Sequence, residues 1–535
     1  MESKMIGMNR RTFLKSMAAS SVVGLFGRAK AGRLLNTGFF GVHPFVEQHP
    51  DAVFIMRTSV DQKYNSAAKK NAGEAFARSV FTAKGENENN AFPVSTLIAM
   101  KPNLTGYTKS APVDSKMGIV TDPYFMEGLI EGMKTLGLSG SQFHMREVNG
   151  EDLQEDNGYA AMAERTGANH FVNGTQVTRM DPSLVVWKDN PDGIYFTKIP
   201  YLWPINAPNT FLVNIAKFKA HGMGLTLAGK NLQGSIVSKY QAHCTSFNTH
   251  LDMDADHRNP RAASIIKQNY LRHRADGIPR WDKPGNNWNC GHGMEAWASR
   301  CLDNNRVTKP ELHIIEGIYG HDGNFTDGPH NGRPKDFMSN IIVFGKNPFH
   351  VDVIGHWLGG HEPGNFGLLH MAIENGMSSL LNPADIPVYE WMADGSAILT
   401  PYDQFERTPL LTYYLQRDYD GQDEPLWHLC DEPYDYAPTS AAYRTSHPVS
   451  FELAQNYPNP FNPTTTIPFT LPRSGHVRLE IYDIQGHVVD VAVDGYFEAG
   501  LHHVLWRGQG IPSGTYLYRI RTGEFNMVRQ MTLLK

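Results

Sequence analysis

Lys217-Phe-Lys-Ala-His-Gly-Met-Gly-Leu-Thr-Leu-Ala-Gly-Lys-Asn-Leu-Gln-Gly234 is the stretch whose residue types best suit chemistry, and it follows the apolar run Phe211-Leu-Val-Asn-Ile-Ala216. A short apolar run bounded by turn signals reads as a buried strand, so Lys217, Lys219 and His221 are expected where that strand meets a glycine-rich connection. Lys230 and Asn231 come after Gly222, Gly224 and Gly229, which would let the backbone approach a ligand closely. Three lysines, a histidine and an asparagine at this spacing suit a bound anion. Lysine is a point charge with three donors, and free backbone N–H groups would complete a cage. The plain alternative is a solvated basic loop, which the adjacent apolar strand and the glycines disfavour. The spacing is neither a Walker-type phosphate loop nor a Rossmann fingerprint.

A second group lies in Glu316-Gly-Ile-Tyr-Gly-His-Asp-Gly-Asn-Phe-Thr-Asp-Gly-Pro-His330. On a flexible loop, Glu316, His321, Asp322 and Asp327 would hold a divalent cation or supply a general base; otherwise this is a turn using Asp and Gly for backbone reasons. Histidines crowd the middle of the chain, thirteen of the twenty-three falling between His221 and His370. His243, Cys244, His250, Asp252, Asp254, Asp256 and His257 mix imidazole, thiol and carboxylate as a transition-metal site does. The alternating aspartates fail as an EF-hand, because His257 and Ala263 stand where Gly and Glu are needed. There is no His-Glu-x-x-His motif and no nucleophile elbow, so protease and lipase chemistry lose their best signatures.

At these residues the sequence resembles the family called domain of unknown function 362. Its pattern is carried by Lys101-Pro102-Asn103, by Lys219-Ala-His221 with Thr226 through Lys230-Asn231 to Gly234, and by Glu316-Gly317 through Gly328-Pro329. The resemblance covers roughly residues 90 to 400 and implies no activity. It adds Lys101 and Asn103 to the site. The combined expectation is a cleft in which Lys101, Asn103, Lys217, Lys219, Lys230 and Asn231 hold an anionic substrate. Glu316 or His221 would move a proton there, and His321, Asp322 and Asp327 would bind a divalent metal.

The elements that must position these groups follow from periodicity. Ala52–Met56, Ser95–Met100, Phe143–Val148, Phe211–Ala216, Leu312–Ile318 and Ile341–Phe344 read as strands. Helical character runs from Ala67 to Ala77 and from Tyr159 to Thr166. The clearest helix has Asp122 as N-cap, Pro123 at its first position, apolar residues from Phe125 to Leu136 and Gly137 as its stop. Two more are expected from Asn347-Pro348 to Gly359-Gly360 and from Phe366 to Asn375. Strand–helix alternation predicts an α/β fold with a mostly parallel sheet flanked by helices over residues 32–400. In such sheets ligands bind beyond the carboxyl ends of the strands, where Lys101, Lys217 and Glu316 are expected to face one hollow.

The chain has 535 residues, a formal net charge of −5 and no basic tract, which argues against a nucleic-acid partner. Residues 1–31 resemble a twin-arginine export signal. Asn9-Arg10-Arg11-Thr12-Phe13-Leu14-Lys15 precedes a short apolar run to Phe26 and the small-x-small site Ala29-Lys30-Ala31. About ten apolar residues are too few to cross a bilayer that needs about twenty, and no later stretch qualifies, so no transmembrane segment is expected in the mature chain. The implied first partner is the twin-arginine translocase, which carries folded proteins. Cys244, Cys290, Cys301 and Cys430 form no Cys-x-x-Cys pair, so haem and iron–sulfur signatures are absent. Their disulfide pairing stays open.

Residues 401–447 read as a wrapping segment and linker. Residues 448–535 then show period-two runs, Val477–Tyr482, His503–Trp506 and Gly514–Ile520, punctuated by glycines, which predict a small β-sandwich of immunoglobulin type. This region resembles the C-terminal sorting domain of type IX secretion cargo, through Tyr457-Pro-Asn-Pro-Phe-Asn-Pro463 and the terminal Met531-Thr-Leu-Leu-Lys535. The resemblance implies passage through the type IX secretion machinery, removal of the domain and an extracellular or outer-surface location. Two function classes remain open. One is an exported enzyme acting on an anionic substrate, with or without a metal; the other is a surface protein that binds its ligand without turnover.

Overall fold

A computed structural model describes residues 38–104, 118–148, 158–170, 182–225, 227–237, 258–279, 291–414, 427–436, 451–456, 458–471, 475–497, 500–523 and 525–534. The export signal, Thr226, the His243–His257 cluster, Cys290 and Tyr457 lie outside the described residues.

The central sheet is built from β1 (Val53–Arg57), β2 (Leu97–Pro102), β3 (Phe143–Met145), β4 (Thr210–His221), β5 (Gly224–Leu225), β6 (Leu312–His321), β7 (Asp336–Gly345), β8 (Val388–Trp391) and β9 (Ala397–Leu399). Their order is β9-β8-β1-β7-β6-β4-β2-β3, with β5 turned back on the end of β4. Pairings β3–β2, β2–β4, β4–β6 and β1–β8 are parallel. β7 runs antiparallel to both β6 and β1. The result is the mixed, largely parallel sheet that the strand–helix alternation predicts.

Two apolar layers cover the sheet. On one face lie α1 (Ser66–Val80), α2 (Pro123–Lys134) and α3 (Tyr159–Thr166), which pack Phe76, Phe125, Leu129 and Met162 against Phe211, Val213, Ile215 and Ile314. On the other lie the short α4 (Ala228–Asn231), then α5 (Ala262–Ala275), α6 (Gly291–Val307), α7 (Pro348–Leu358) and α8 (Gly367–Glu374). Here Trp297, Leu302, Ile354 and Leu369 meet Ala216, Phe218 and Ile315. Alternation along β4 therefore decides which helical layer each of its side chains meets.

α2 begins as its sequence predicts. The Asp122 carboxylate accepts from Tyr124 N and Phe125 N, and Pro123 occupies the first helical position. Its distance from α1 is set by Gly128, where a Cβ would stand 1.9 Å from Lys70 O. That close approach brings Lys69 of α1 to the start of α2.

The C-terminal region forms two antiparallel sheets. One has the order Glu452–Leu453, Thr464–Leu471, Gly500–Arg507; the other is Val488–Phe497, Gly475–Tyr482, Gly514–Thr522, Phe525–Leu533. Leu453, Phe469, Leu479, Trp506, Tyr518 and Met531 share one core between them, a sandwich as predicted. The opening motif is stitched into it. Asn459 Oδ1 accepts from Thr532 N at 2.8 Å, and Phe461 exchanges backbone bonds with Thr532 and Leu534.

Candidate functional site

β2 ends at Pro102, which lies opposite Ile215, while β4 runs on to His221. β4 therefore runs on past its last residue paired with β2. This corrects the expectation that the strand stops at Ala216. Lys217, Lys219 and His221 are strand residues, with Lys217 opposite Glu316 and His221 turning into β5.

On the α4 side of the sheet, Lys101 and Asn103 at the end of β2 meet α4. Lys101 Nζ lies 2.5 Å from Glu147 Oε2 and donates to Pro102 O at 2.6 Å and Asn231 Oδ1 at 3.3 Å. Burial lowers the pKa of Lys101, the Glu147 carboxylate opposes this, and the Lys230 charge adds to it. Asn231 Nδ2 donates to Lys101 O at 3.0 Å and to Asn214 Oδ1 at 2.8 Å, and Asn231 Oδ1 accepts from Asn103 Nδ2 at 3.1 Å. The turn holding Lys230 and Asn231 is pinned from α7, since Asp352 accepts from Ala228 N at 2.7 Å and Gly229 N at 2.9 Å. Burial nevertheless pushes the Asp352 carboxyl up to about 8. Gly234 completes the packing, a Cβ there falling 2.0 Å from Glu147 Oε1.

A separate network lies on the α2 side. Glu316 Oε2 accepts from Lys217 Nζ at 2.7 Å and Asp122 N at 3.1 Å, and Glu316 Oε1 accepts from Ile318 N at 3.1 Å. Asp122 Oδ2 accepts from Lys69 Nζ and from the Tyr319 hydroxyl, each at 2.6 Å. Lys217 Nζ also stands 3.7 Å from the Tyr319 ring centre. Lys69, Asp122, Lys217 and Glu316 are fully buried. Burial raises the Glu316 pKa, the Asp122 charge adds to this, and Lys217 opposes it.

Lys101 and Glu316 thus sit on opposite faces of the sheet. The single hollow expected from the sequence is two networks, and Glu316 is an internal ion-pair partner. They touch through Thr121, whose hydroxyl accepts from Asn103 N at 2.9 Å and donates to Ile215 O at 3.0 Å, one residue before Asp122.

Three polar groups near the ends of β2 and β4 lack a partner among the described residues. Lys230 is 6% exposed and makes no hydrogen bond or ion pair to a described residue. His221 is 7% exposed; its Nδ1 accepts from Met223 N at 3.3 Å, and its Nε2 has no partner among the described residues. With Nδ1 occupied as an acceptor, the proton of a neutral ring belongs on Nε2. Burial, then the charges of Lys230 and Lys219, hold this imidazole well below the ordinary histidine value. The Lys230 charge acts on both Lys101 and His221. Lys219 and His221 both border the Phe325 ring, at 5.5 and 4.8 Å. The third open atom is Asn103 Oδ1, on a side chain 3% exposed.

The glycines expected to face a ligand face protein instead. A Cβ at Gly222 would meet the Tyr413 hydroxyl at 2.3 Å, one at Gly224 the Phe366 ring at 2.5 Å, and one at Gly229 Asp352 Oδ2 at 2.9 Å. The α4 N–H groups expected to complete an anion cage belong to Asp352.

The residues expected to bind a metal do not converge. His321 Nδ1 faces Asp336 Oδ1 at 2.7 Å and its Nε2 faces Phe325 O at 3.0 Å. Asp322 accepts from His330 Nε2 at 2.7 Å and Lys335 N at 2.6 Å, and Asp327 is exposed. Among the described residues no group of three or more His, Cys, Asp or Glu is set to hold a metal ion. Glu316 and His321 are β6 residues, so much of the expected flexible loop is strand.

Sequence reasoning missed Lys69, Glu147, Asn214, Tyr319 and Asp352 as members of these networks. Asn214 carried a readable signal, a lone amide inside the apolar run Phe211–Ala216. Lys69 and Asp352 sit on helices and gave none.

Residues 98–356 match the family described as Domain of unknown function (DUF362), and residues 455–533 match the Secretion system C-terminal sorting domain. No curated protein matches the chain. Among solved structures, PorZ is a surface component of the type-IX secretion system of Porphyromonas gingivalis. It is 18% identical over 17% of this chain and 12% of its own, with a TM-score of 0.13. An endo-beta-1,4-mannanase from Thermotoga petrophila is 10% identical over 76% of this chain and 82% of its own, with a TM-score of 0.16. Neither superposition is close enough to bear on fold or function.

Proposed function

We propose, from the premise that the central region is a DUF362 domain and the C-terminal region a type IX sorting domain, that this secreted or cell-surface protein captures a small anionic ligand beside Lys230. The observation that carries the reading is Lys230, a residue 6% exposed whose amine makes no hydrogen bond or ion pair to a described residue. Burying an unpaired charge is costly, so such an amine is best explained by an anion that neutralises it when bound. His221, whose imidazole feels the Lys230 charge, carries a further unpartnered donor among the described residues, its Nε2–H. Lys101 and Lys217 each have a carboxylate partner and support the site from below.

This arrangement favours capture, or stabilisation of a developing negative charge, over proton abstraction. His221 offers an N–H where a base needs a lone pair, and Glu316 is engaged by Lys217 on the other face. The Arg10-Arg11 signal fits delivery of an already folded chain to the first membrane, with the type IX machinery acting next and removing the C-terminal domain.

Calorimetric titration of the full chain with acetate, inorganic phosphate and sulfate tests the reading. At least one anion is expected to bind. Lys230→Gln should weaken that anion by about tenfold or more, the loss of one charge-assisted contact. Equal affinity in the variant, or no binding by any of the three, overturns it.

A further inference from the structure

A cavity of about 560 Å³ opens where β6 begins and β7 ends, His313 there pairing with Gly345. Its walls come from the end of α6 and its connection to β6, the start of α7 and the segment after α8, all of them described residues. That volume is in the range of small-molecule sites and well beyond an inorganic ion. Phe349 and Met377 give it apolar wall.

The charged groups on the same walls are three cations, Arg306, Lys309 and Lys346, against Asp51 and Asp192, both exposed. Lys346 is paired with Glu47 at 3.1 Å and Glu311 at 3.5 Å, and Arg306 with Asp303 at 3.2 Å. Lys309 donates to Asn305 O at 2.9 Å and meets no carboxylate among the described residues. His313 adds a neutral donor. It is 2% exposed and lines the cavity. Asn214 fixes its tautomer. Asn214 Oδ1 accepts from Asn231 Nδ2 at 2.8 Å, so Asn214 Nδ2 is the atom that donates to Ala228 O at 2.8 Å and to His313 Nδ1 at 3.0 Å. The ring proton then belongs on Nε2, which has no partner among the described residues and, unlike His221 Nε2, is not sealed from solvent. Burial, then the charges of Lys346 and Lys309, lower this imidazole to about 3, so the ring stays neutral.

We infer that this cavity binds a small organic anion, a phosphate ester or carboxylate whose charge meets the Lys309 ammonium and the His313 Nε2–H while its body rests on Phe349 and Met377. The site is independent of capture at Lys230 and shares no residue with it.

Isotope-labelled methionine methyl groups in the full chain report on it by NMR, because Met377 is on the cavity wall and Met377→Leu assigns its signal. Phenyl phosphate and benzoate separate the two sources of charge, and benzyl alcohol is the neutral control. At least one of the two anions should shift the Met377 signal saturably. Inorganic phosphate, without an apolar body, should bind there about tenfold more weakly or worse. Lys309→Gln, at an exposed position, should weaken the organic anion about fivefold, the upper range for an exposed charge pair. Lys230→Gln should leave the Met377 response unchanged, so failure at one site is read apart from failure at the other. A Met377 signal unmoved by both anions, one moved as readily by benzyl alcohol, or equal affinity in Lys309→Gln overturns the inference.

Discussion

Glu316 accepts from Lys217 Nζ, Asp122 N and Ile318 N and has no face left for a ligand, whereas Lys230 has the opposite condition. The two therefore answer to different measurements. Glu316→Gln keeps the shape of the side chain but leaves the Lys217 ammonium buried without its counter-charge. Breaking a buried pair in this way costs about 3–5 kcal/mol. The variant should show that loss in urea denaturation, while the anion affinity of the folded fraction stays at the wild-type value. A change in affinity as large as that of Lys230→Gln would place Glu316 in the ligand site after all. The sequence marked both residues as chemically interesting, but residue type and spacing do not say which charged side chains are already paired.

At the scale of elements, α1 and α2 set the geometry of the whole α2-side network. Gly128 allows α2 to lie against Lys70 O, and this approach carries Lys69 to Asp122. Gly128→Ala should force the helices apart and cost about 1–3 kcal/mol, the usual penalty for overpacking. A thermal melt reads the loss directly, and an unchanged midpoint would show that the contact can relax. The helix itself was plainly legible, because Asp122, Pro123 and the spacing of Phe125, Met126, Leu129, Ile130 and Met133 are local signals. The full length of β4 was not. Lys217, Lys219 and His221 look like loop residues by type, and only their pairing with β6 and β5 makes them strand. The pairing with β6 depends on residues about a hundred positions away, beyond any window of periodicity. β8, β9, α5 and α6 were missed for a different reason, their patterns being short or weakly amphipathic.

For the whole molecule, buried histidines of opposite tendency bracket the pH of greatest stability. Burial is the main cause that lowers His313 and His361 to about 3, and His356 and His370 to about 4, from the ordinary 6.5. Unfolding lets each take a proton that the folded state resists, so their contribution is intact above pH 6.5 and is lost as pH falls below it. The slope is about 1.4 kcal/mol per pH unit for each such group until its own folded value is reached. His273 runs the other way. Burial opposes its charge, but Glu295 and Glu374 on either side raise it to about 9. Its contribution is present below 6.5 and lost as pH rises through about 9. Denaturation midpoints measured from pH 4 to 10 should therefore fall steeply on the acid side and more gently on the alkaline side. His273→Gln should flatten the alkaline limb alone. A profile that keeps rising below pH 6 contradicts the burial of the neutral histidines. The two-domain plan was readable because each part carries its own composition, whereas the split of the polar residues between two sheet faces needed the strand register.

Among the described residues, Thr121 is the hydroxyl through which the two networks meet, taking Asn103 N on one side and leading directly into Asp122 on the other. Substitutions in the Lys101–Asn231 group and in the Lys217–Glu316 group should then depart from simple additivity by more than about 0.5 kcal/mol, as for sites that share a partner. Any excess measured in a double-mutant cycle should vanish when the cycle is repeated in a Thr121→Val background. If it does, the protein has a single relay by which strain in its helical layer is heard at its mouth, and one methyl group in place of an oxygen is enough to silence it.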